Sequence, residues 1–110
     1  MQMIELHTVG RVSGRPRDTV LAAPLASDDK IVLVASKGGD DRDPDWFRNL
    51  VAQPDIEVTF QGRRRPMRAR VASPEEREEL WPQVVAVYRS YATYQRRTKR
   101  IIPVVVCQPR

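Results

Sequence analysis

The spacing of apolar residues divides the chain into short strands first and helices later. Ile4 to Val9 reads as a strand that stops at Gly10. Arg11-Val12-Ser13-Gly14-Arg15-Pro16-Arg17, punctuated by Gly and Pro, reads as a loop. Thr19 to Leu25 is a second strand, Ser27-Asp28-Asp29-Lys30 a turn, and Ile31 to Ala35 a third strand without a polar residue. Ser36 to Asp41, with two glycines, is a flexible loop. The period then changes: Asp43 as N-cap, Pro44 in the first helical position and Phe47, Leu50 and Val51 on one face predict a helix that Pro54 stops. Ile56–Phe60 and Arg63–Ala72 flank Gln61-Gly62 as a hairpin, with Pro66 marking an edge position or a bulge.

Ser73-Pro74-Glu75-Glu76 is a capping box with Pro at the first helical position. The helix it starts runs toward Tyr88 and is expected to bend or restart at Pro82. Ser90 is expected to cap a further short helix to about Arg97, and Ile101 to Cys107 forms a last strand, interrupted early by Pro103. Six short strands with two or three helices inserted late predict an α+β domain whose antiparallel strands close into a barrel or curved sheet. At 110 residues the chain is one domain, 1–110, without internal repeats. A domain of this size holds a ligand in a groove open to solvent or to a second subunit.

Charge sharpens this picture. Sixteen Arg and three Lys against 14 acidic residues leave a formal net charge of +5. The planar guanidinium fork suits phosphate and carboxylate, which points to anionic partners. A nucleic-acid-binding module is one reading, supported by Arg63-Arg64-Arg65, but the basic strands lack interleaved aromatic residues. The single cysteine, Cys107, sits in an apolar run and reads as a core residue; with one histidine, His7, no metal site is expected. No segment reaches membrane-spanning length, and a cytoplasmic location follows, with peripheral contact at the inner face of the plasma membrane left open.

Four segments carry candidate chemistry. The loop from Gly10 to Arg17 combines three arginines, two glycines and a serine, so that backbone N–H groups and guanidinium forks can converge on an anion; taken alone it reads more readily as a polar hairpin loop. Ser36-Lys37-Gly38-Gly39 follows an apolar strand and forms either an anion nest or a solvated loop. Within Trp46-Phe47-Arg48-Asn49, Trp46 is either core or the wall of a planar ring, and Asn49 in a helix interior calls for a hydrogen-bonding task. Tyr88, Tyr91 and Tyr94 stand three apart, so a helix puts them on one face.

These stretches, together with Glu75-Glu76-Arg77, Leu80-Trp81-Pro82, Arg97-Thr98 and Ile102-Pro103-Val104, resemble in order the deazaflavin-dependent nitroreductases of actinobacteria. The resemblance implies a split β-barrel, related to flavin-binding folds. It implies coenzyme F420, an 8-hydroxy-5-deazaflavin with a phosphate and a polyglutamate tail, as cofactor, and hydride transfer from the reduced coenzyme to a quinone or nitroaromatic acceptor. Arg11, Ser13 and Arg17 then grip the phosphate and tail; Ser36 and Lys37 lie beside the deazaflavin, with Pro44, Trp46 and Asn49 completing that site. Tyr88 and Tyr94 surround the substrate, and Tyr91 is the proton donor. Val12, Val20, Ala22 and Arg89 depart from the family pattern, at positions bearing on phosphate affinity and substrate range. The remaining alternative of the same barrel type is a flavin mononucleotide enzyme; the assembly is a monomer or a homodimer.

Overall fold

The computed structural model describes residues Met1–Arg110. Seven strands are present: β1 (Gln2–Val9), β2 (Pro16–Ala23), β3 (Leu25–Ala26), β4 (Ile31–Val34), β5 (Asp55–Phe60), β6 (Arg63–Val71) and β7 (Val104–Pro109). Three α-helices, α1 (Asp45–Ala52), α2 (Pro74–Val87) and α3 (Ser90–Arg97), and a 3-10 turn at Lys37–Gly39 complete the chain. All strand pairs are antiparallel, in the order β2-β1-β5-β6-β7-β4-β3. The second strand expected from the sequence is interrupted at Pro24, which cannot donate to a ladder. Its first part pairs with β1 at one end of the sheet, and its last two residues pair with β4 at the other. One bent segment thus joins both ends, and the sheet curls into a split barrel.

The inside of the curl holds Ile4, Leu6, Ile31, Leu33, Ile56, Val58, Met67, Ala69, Val105 and Cys107, with Leu50 of α1 packed against them. The other faces of β4 and β7, at Val32, Val34, Val104 and Val106, pack under Leu80, Val84 and Tyr91 from α2 and α3. Both strands are therefore covered on two sides, which is why their sequences read as unbroken apolar runs. β6 lies between β5 and β7, yet β7 joins it only from Met67 onward; Pro66 stands just outside that ladder, so the missing N–H costs nothing and no bulge is needed.

Several local expectations are corrected. Pro44 is the N-cap of α1, and Asp43 turns to Arg100 at 3.1 Å instead of capping. Half of the capping box forms: Ser73 Oγ accepts from Glu76 N at 3.2 Å, while the Glu76 carboxylate pairs with Arg70. α2 runs unbroken across Pro82, and Gln83 Nε2 donates to Glu79 O, a carbonyl one turn back on the same helix, at 3.0 Å. Ser90 is the first residue of α3 and makes no cap bond. β7 begins after Pro103 and extends to Pro109, later at both ends than expected.

Burial pushes the Cys107 thiol and the Tyr91 hydroxyl up to about 12 each. In the unfolded chain both lose their protons earlier, so folding stability is complete below the ordinary thiol and phenol values and falls as pH rises through about 9–12. The urea midpoint of the wild type is expected to drop over that range; Tyr91→Phe, which removes one of the two late-ionising groups, makes the drop shallower.

Candidate active site

The hairpin loop between β1 and β2 and the start of α1 form a cup. Gly10 N donates to Arg15 O and Gly14 N donates to Gly10 O, both at 2.8 Å, drawing the loop tight. A side chain at Gly10 has no room, since its Cβ would stand 2.6 Å from Ser13 Oγ. Ser13 Oγ accepts from Arg15 N at 3.2 Å and lies 3.5 Å from Arg17 Nη2. Asn49 is buried in α1, and its side-chain oxygen accepts from Arg11 N at 3.1 Å and Arg11 Nη1 at 2.9 Å. Two N–H donors converging on one atom identify that atom as the amide oxygen. Asn49 therefore has the hydrogen-bonding task its position calls for: it fixes the Arg11 loop to the helix. Asp45 accepts from Arg11 Nη2 at 3.4 Å. The cup encloses about 380 Å³ and also takes in Val12, Arg17, Asp18, Thr19 and Trp46.

Beside it lies a larger, mostly apolar groove of about 610 Å³. Its walls are Met1, Met3, Thr19, Leu21 and Ala22 on one side, Val34, Ser36, Lys37 and Gly38 at the end of β4, Pro44 and Trp46 from the start of α1, and Tyr88, Tyr91 and Tyr94. Thr19 and Trp46 line both cup and groove, so the two spaces are neighbours on either side of these residues.

The loop after β4 turns through three successive left-handed residues, Lys37 (φ 45°), Gly38 (φ 63°) and Gly39 (φ 86°). For Lys37 this is strained, and strain persists only where surroundings over-determine it. Arg100 does so. Its guanidinium donates to Asp40 O at 2.8 Å, Ser36 O at 3.0 Å, Ala35 O at 3.2 Å and the Asp43 carboxylate at 3.1 Å. Arg97 Nη1 adds a bond to Gly38 O at 3.3 Å, and Thr98 Oγ1 donates to Asp41 at 2.8 Å. A Cβ at Gly39 would meet Tyr94 O at 2.8 Å, so this loop and α3 are in direct backbone contact.

The three tyrosines meet edge to face, with ring centroids 5.0 Å apart for Tyr88 and Tyr91 and 6.4 Å for Tyr91 and Tyr94. The Tyr88 and Tyr94 hydroxyls lie 3.2 Å apart. With Tyr94 as donor, this bond holds Tyr88 below and Tyr94 above the ordinary phenol value. Tyr91 is only 5% exposed, and its high value comes first from burial and then from its two tyrosine neighbours.

The site residues that the resemblance implies line these two neighbouring spaces: Arg11, Ser13, Arg17 and Asn49 the cup, Ser36, Lys37, Pro44, Tyr88, Tyr91 and Tyr94 the groove, and Trp46 both; Arg15, Gly39, Phe47 and Arg48 of the same segments line neither. Arg100 was missed. Its partners lie 57 to 65 residues away in sequence, and no local pattern marks it. Arg63-Arg64-Arg65 does not form a free cationic stripe: Arg64 pairs with Glu57 at 2.6 Å and Arg65 stands 3.8 Å from Asp28.

A family model described as F420H(2)-dependent quinone reductase matches residues 1–109. The chain belongs to this family. By that membership it is an oxidoreductase that uses coenzyme F420. It is 42% identical over 106 residues to an F420H(2)-dependent quinone reductase of Mycobacterium tuberculosis, covering 92% of this chain and 69% of the relative. A solved F420-H2 dependent reductase, FDR-A, superposes with a TM-score of 0.86 at 36% identity, over 97% of this chain and 94% of its own. A FAD-binding protein of Mesorhizobium loti, at 12% identity and a TM-score of 0.68 over 99% of this chain and 79% of its own, shares the fold. The residues present fit the coenzyme: a glycine-tightened cup lined by Arg11 and Arg17, suited to an anion, adjoins an apolar groove walled by aromatic rings.

If Arg100 sets the shape of the groove floor, Arg100→Ala releases four acceptors at once. Charge-assisted bonds are worth about 1.5–3 kcal/mol each, so backbone amides of residues 36–41 are expected to exchange with deuterium at least tenfold faster, and coenzyme affinity to fall with them.

Proposed function

We propose that this enzyme passes a hydride from reduced coenzyme F420 to a quinone or nitroaromatic acceptor lying in the tyrosine-walled groove. The observation that supports the reading is that the cup and the groove share Thr19 and Trp46 as lining, so that an anionic tail and a planar ring of one molecule have neighbouring spaces to occupy. The bound coenzyme supplies the hydride; the protein binds, orients and excludes water. In this reading Arg11, Ser13 and Arg17 hold the phosphate and tail, Ser36, Lys37, Pro44 and Trp46 hold the ring system, and Asn49, which lines the cup, completes the site by fixing Arg11. Tyr88 and Tyr94 wall the acceptor. Exposed Met1 and Met3 at the groove edge support an apolar acceptor, including one arriving from a membrane surface.

Hydride addition leaves negative charge on the acceptor's oxygen, which then takes a proton. Tyr91, lifted to about 12, is protonated at neutral pH and suited to donate a hydrogen bond to that oxygen. Such a bond strengthens as charge grows in the transition state. A solved relative described as a domain-swapped dimer, 36% identical and superposing with a TM-score of 0.86 over 97% of this chain and 80% of its own, supports a homodimer as the assembly. No helix is long and apolar enough to cross a membrane, and we place the enzyme in the cytoplasm.

Fluorescence titration with coenzyme F420 and with flavin mononucleotide tests the cofactor site. The deazaflavin is expected to bind much more tightly, and equal or tighter binding of flavin mononucleotide overturns the reading. Arg17→Ala is expected to cost about 1.5–3 kcal/mol of coenzyme binding, while Arg64→Ala, in an exposed ion pair, costs less than about 1 kcal/mol. Anaerobic turnover with a menaquinone analogue and with a nitroaromatic compound then separates the acceptors. Tyr91→Phe is expected to lower kcat with coenzyme affinity nearly unchanged, and Tyr88→Phe and Tyr94→Phe to do less. An unchanged kcat in a folded Tyr91→Phe enzyme removes Tyr91 from the chemistry.

A further inference from the structure

A strongly cationic hollow lies where α3 ends. It measures about 640 Å³ and is lined by Arg96, Arg97, Thr98, Lys99, Arg100 and Asp41, four cations against one carboxylate. Two of these charges are already engaged. Asp41 accepts from Thr98 Oγ1, and the Arg100 guanidinium is spent on the loop after β4 and on Asp43. Arg96, Arg97 and Lys99 are exposed, and no carboxylate pairs with any of them. Elsewhere on the surface Arg42, Arg64, Arg68 and Arg70 each engage a carboxylate. Cations in a last helical turn complement the helix dipole, which accounts for Arg96 and Arg97. Lys99 stands beyond the C-cap Thr98, where that effect has faded.

Arg97 ties this hollow to the groove. Its Nη1 donates to Gly38 O at 3.3 Å, and its guanidinium stands over the Tyr94 ring, 5.7 Å from the centroid. Gly38 and Tyr94 both line the groove, so the hollow begins at the groove's rim. Apolar side chains are left in water nearby. Ile101, two positions after Lys99, is 73% exposed, and Met1, Met3 and Tyr88 of the groove are exposed too. Unpaired cations next to exposed apolar side chains match the surface of a bilayer with anionic headgroups. The phosphates take the cations, and the headgroup–acyl boundary takes the apolar side chains. A nucleic acid engages the cations but leaves the apolar side chains in water.

We propose that Arg96, Arg97 and Lys99, with Ile101 beside them, form a docking surface for a membrane of anionic phospholipid, which brings the rim of the groove to the lipid that dissolves an apolar acceptor. The inference rests on the groove receiving such an acceptor, and it adds the surface at which the acceptor is delivered. The contact is electrostatic at its centre, so salt weakens it; exposed charges are screened over about 8–10 Å at ordinary ionic strength.

Co-sedimentation with vesicles tests this. The wild type is expected to sediment with vesicles of equal parts phosphatidylcholine and phosphatidylglycerol, to stay in solution with phosphatidylcholine alone, and to be released as salt rises. Arg96→Ala/Lys99→Ala is expected to bind the mixed vesicles about tenfold or more weakly, since each basic residue at an anionic surface contributes roughly fivefold in affinity. Arg64→Ala/Arg68→Ala removes the same charge from two ion pairs on β6 and is expected to lose far less. Ile101→Ser is expected to weaken binding and leave its salt dependence intact. Equal sedimentation of the wild type with both vesicle types overturns the inference, and so does an equal loss in the two double variants. A DNA duplex that strips the wild type from the mixed vesicles at matched phosphate concentration overturns it in favour of a nucleic-acid surface. Turnover of a short-chain menaquinone analogue without vesicles separates the inference from the reading it rests on, and Arg96→Ala/Lys99→Ala is expected to match the wild type there. Turnover without vesicle binding overturns the docking surface alone. Vesicle binding without turnover of any quinone overturns the acceptor and leaves the surface standing.

Discussion

A seven-stranded sheet has two edges to satisfy, and here residues 16–26 serve both. The first half of the site follows from that closure. Because β2 must pair along β1, the Gly10–Arg17 loop is pulled into a tight hairpin, with Arg11 and Arg17 both lining the cup. Because the segment then turns at Pro24 to reach β4, Thr19, Leu21 and Ala22 come to face the end of β4, where the left-handed loop begins. One bend thus builds both a barrel wall and one side of the groove.

The second requirement is met from the far end of the chain. Segment 95–103 carries few apolar anchors of its own and is tied down by polar bonds. Gln95 Oε1 accepts from Arg77 Nη2 and Ile102 N, and Gln95 Nε2 donates to Arg100 O at 2.7 Å. Arg100, held in this way, clamps the loop from Ala35 to Asp43. The strained Lys37 is thus fixed by a network reaching across α2, α3 and the approach to β7, and a disturbance in any of these reaches the groove floor.

Much of this was legible in the sequence, and the reasons differ by residue. The strands and helices announce themselves by period and by Gly and Pro, and Asn49 and the tyrosine triplet stand out because their types are unusual for their places. Pro82 misled: taken alone it predicts a break, but α2 is held on its inner face by Leu80 and Val84, and that packing overrides the local preference. Asp43 misled for the opposite reason, because a long-range partner, Arg100, outbid the cap. Arg100 carried no readable signal, since it acquires its role only when loops distant in sequence are brought side by side.

The chain's one thiol has a consequence for an enzyme that handles quinones. Quinones are electrophiles that add to accessible thiolates, and such addition would inactivate a protein that binds them repeatedly. Cys107 is sealed between β4 and β6, with no exposed surface and its proton held up to about 12. Neither contact nor the reactive thiolate form is offered to an electrophilic acceptor, so this thiol is withheld from addition during turnover.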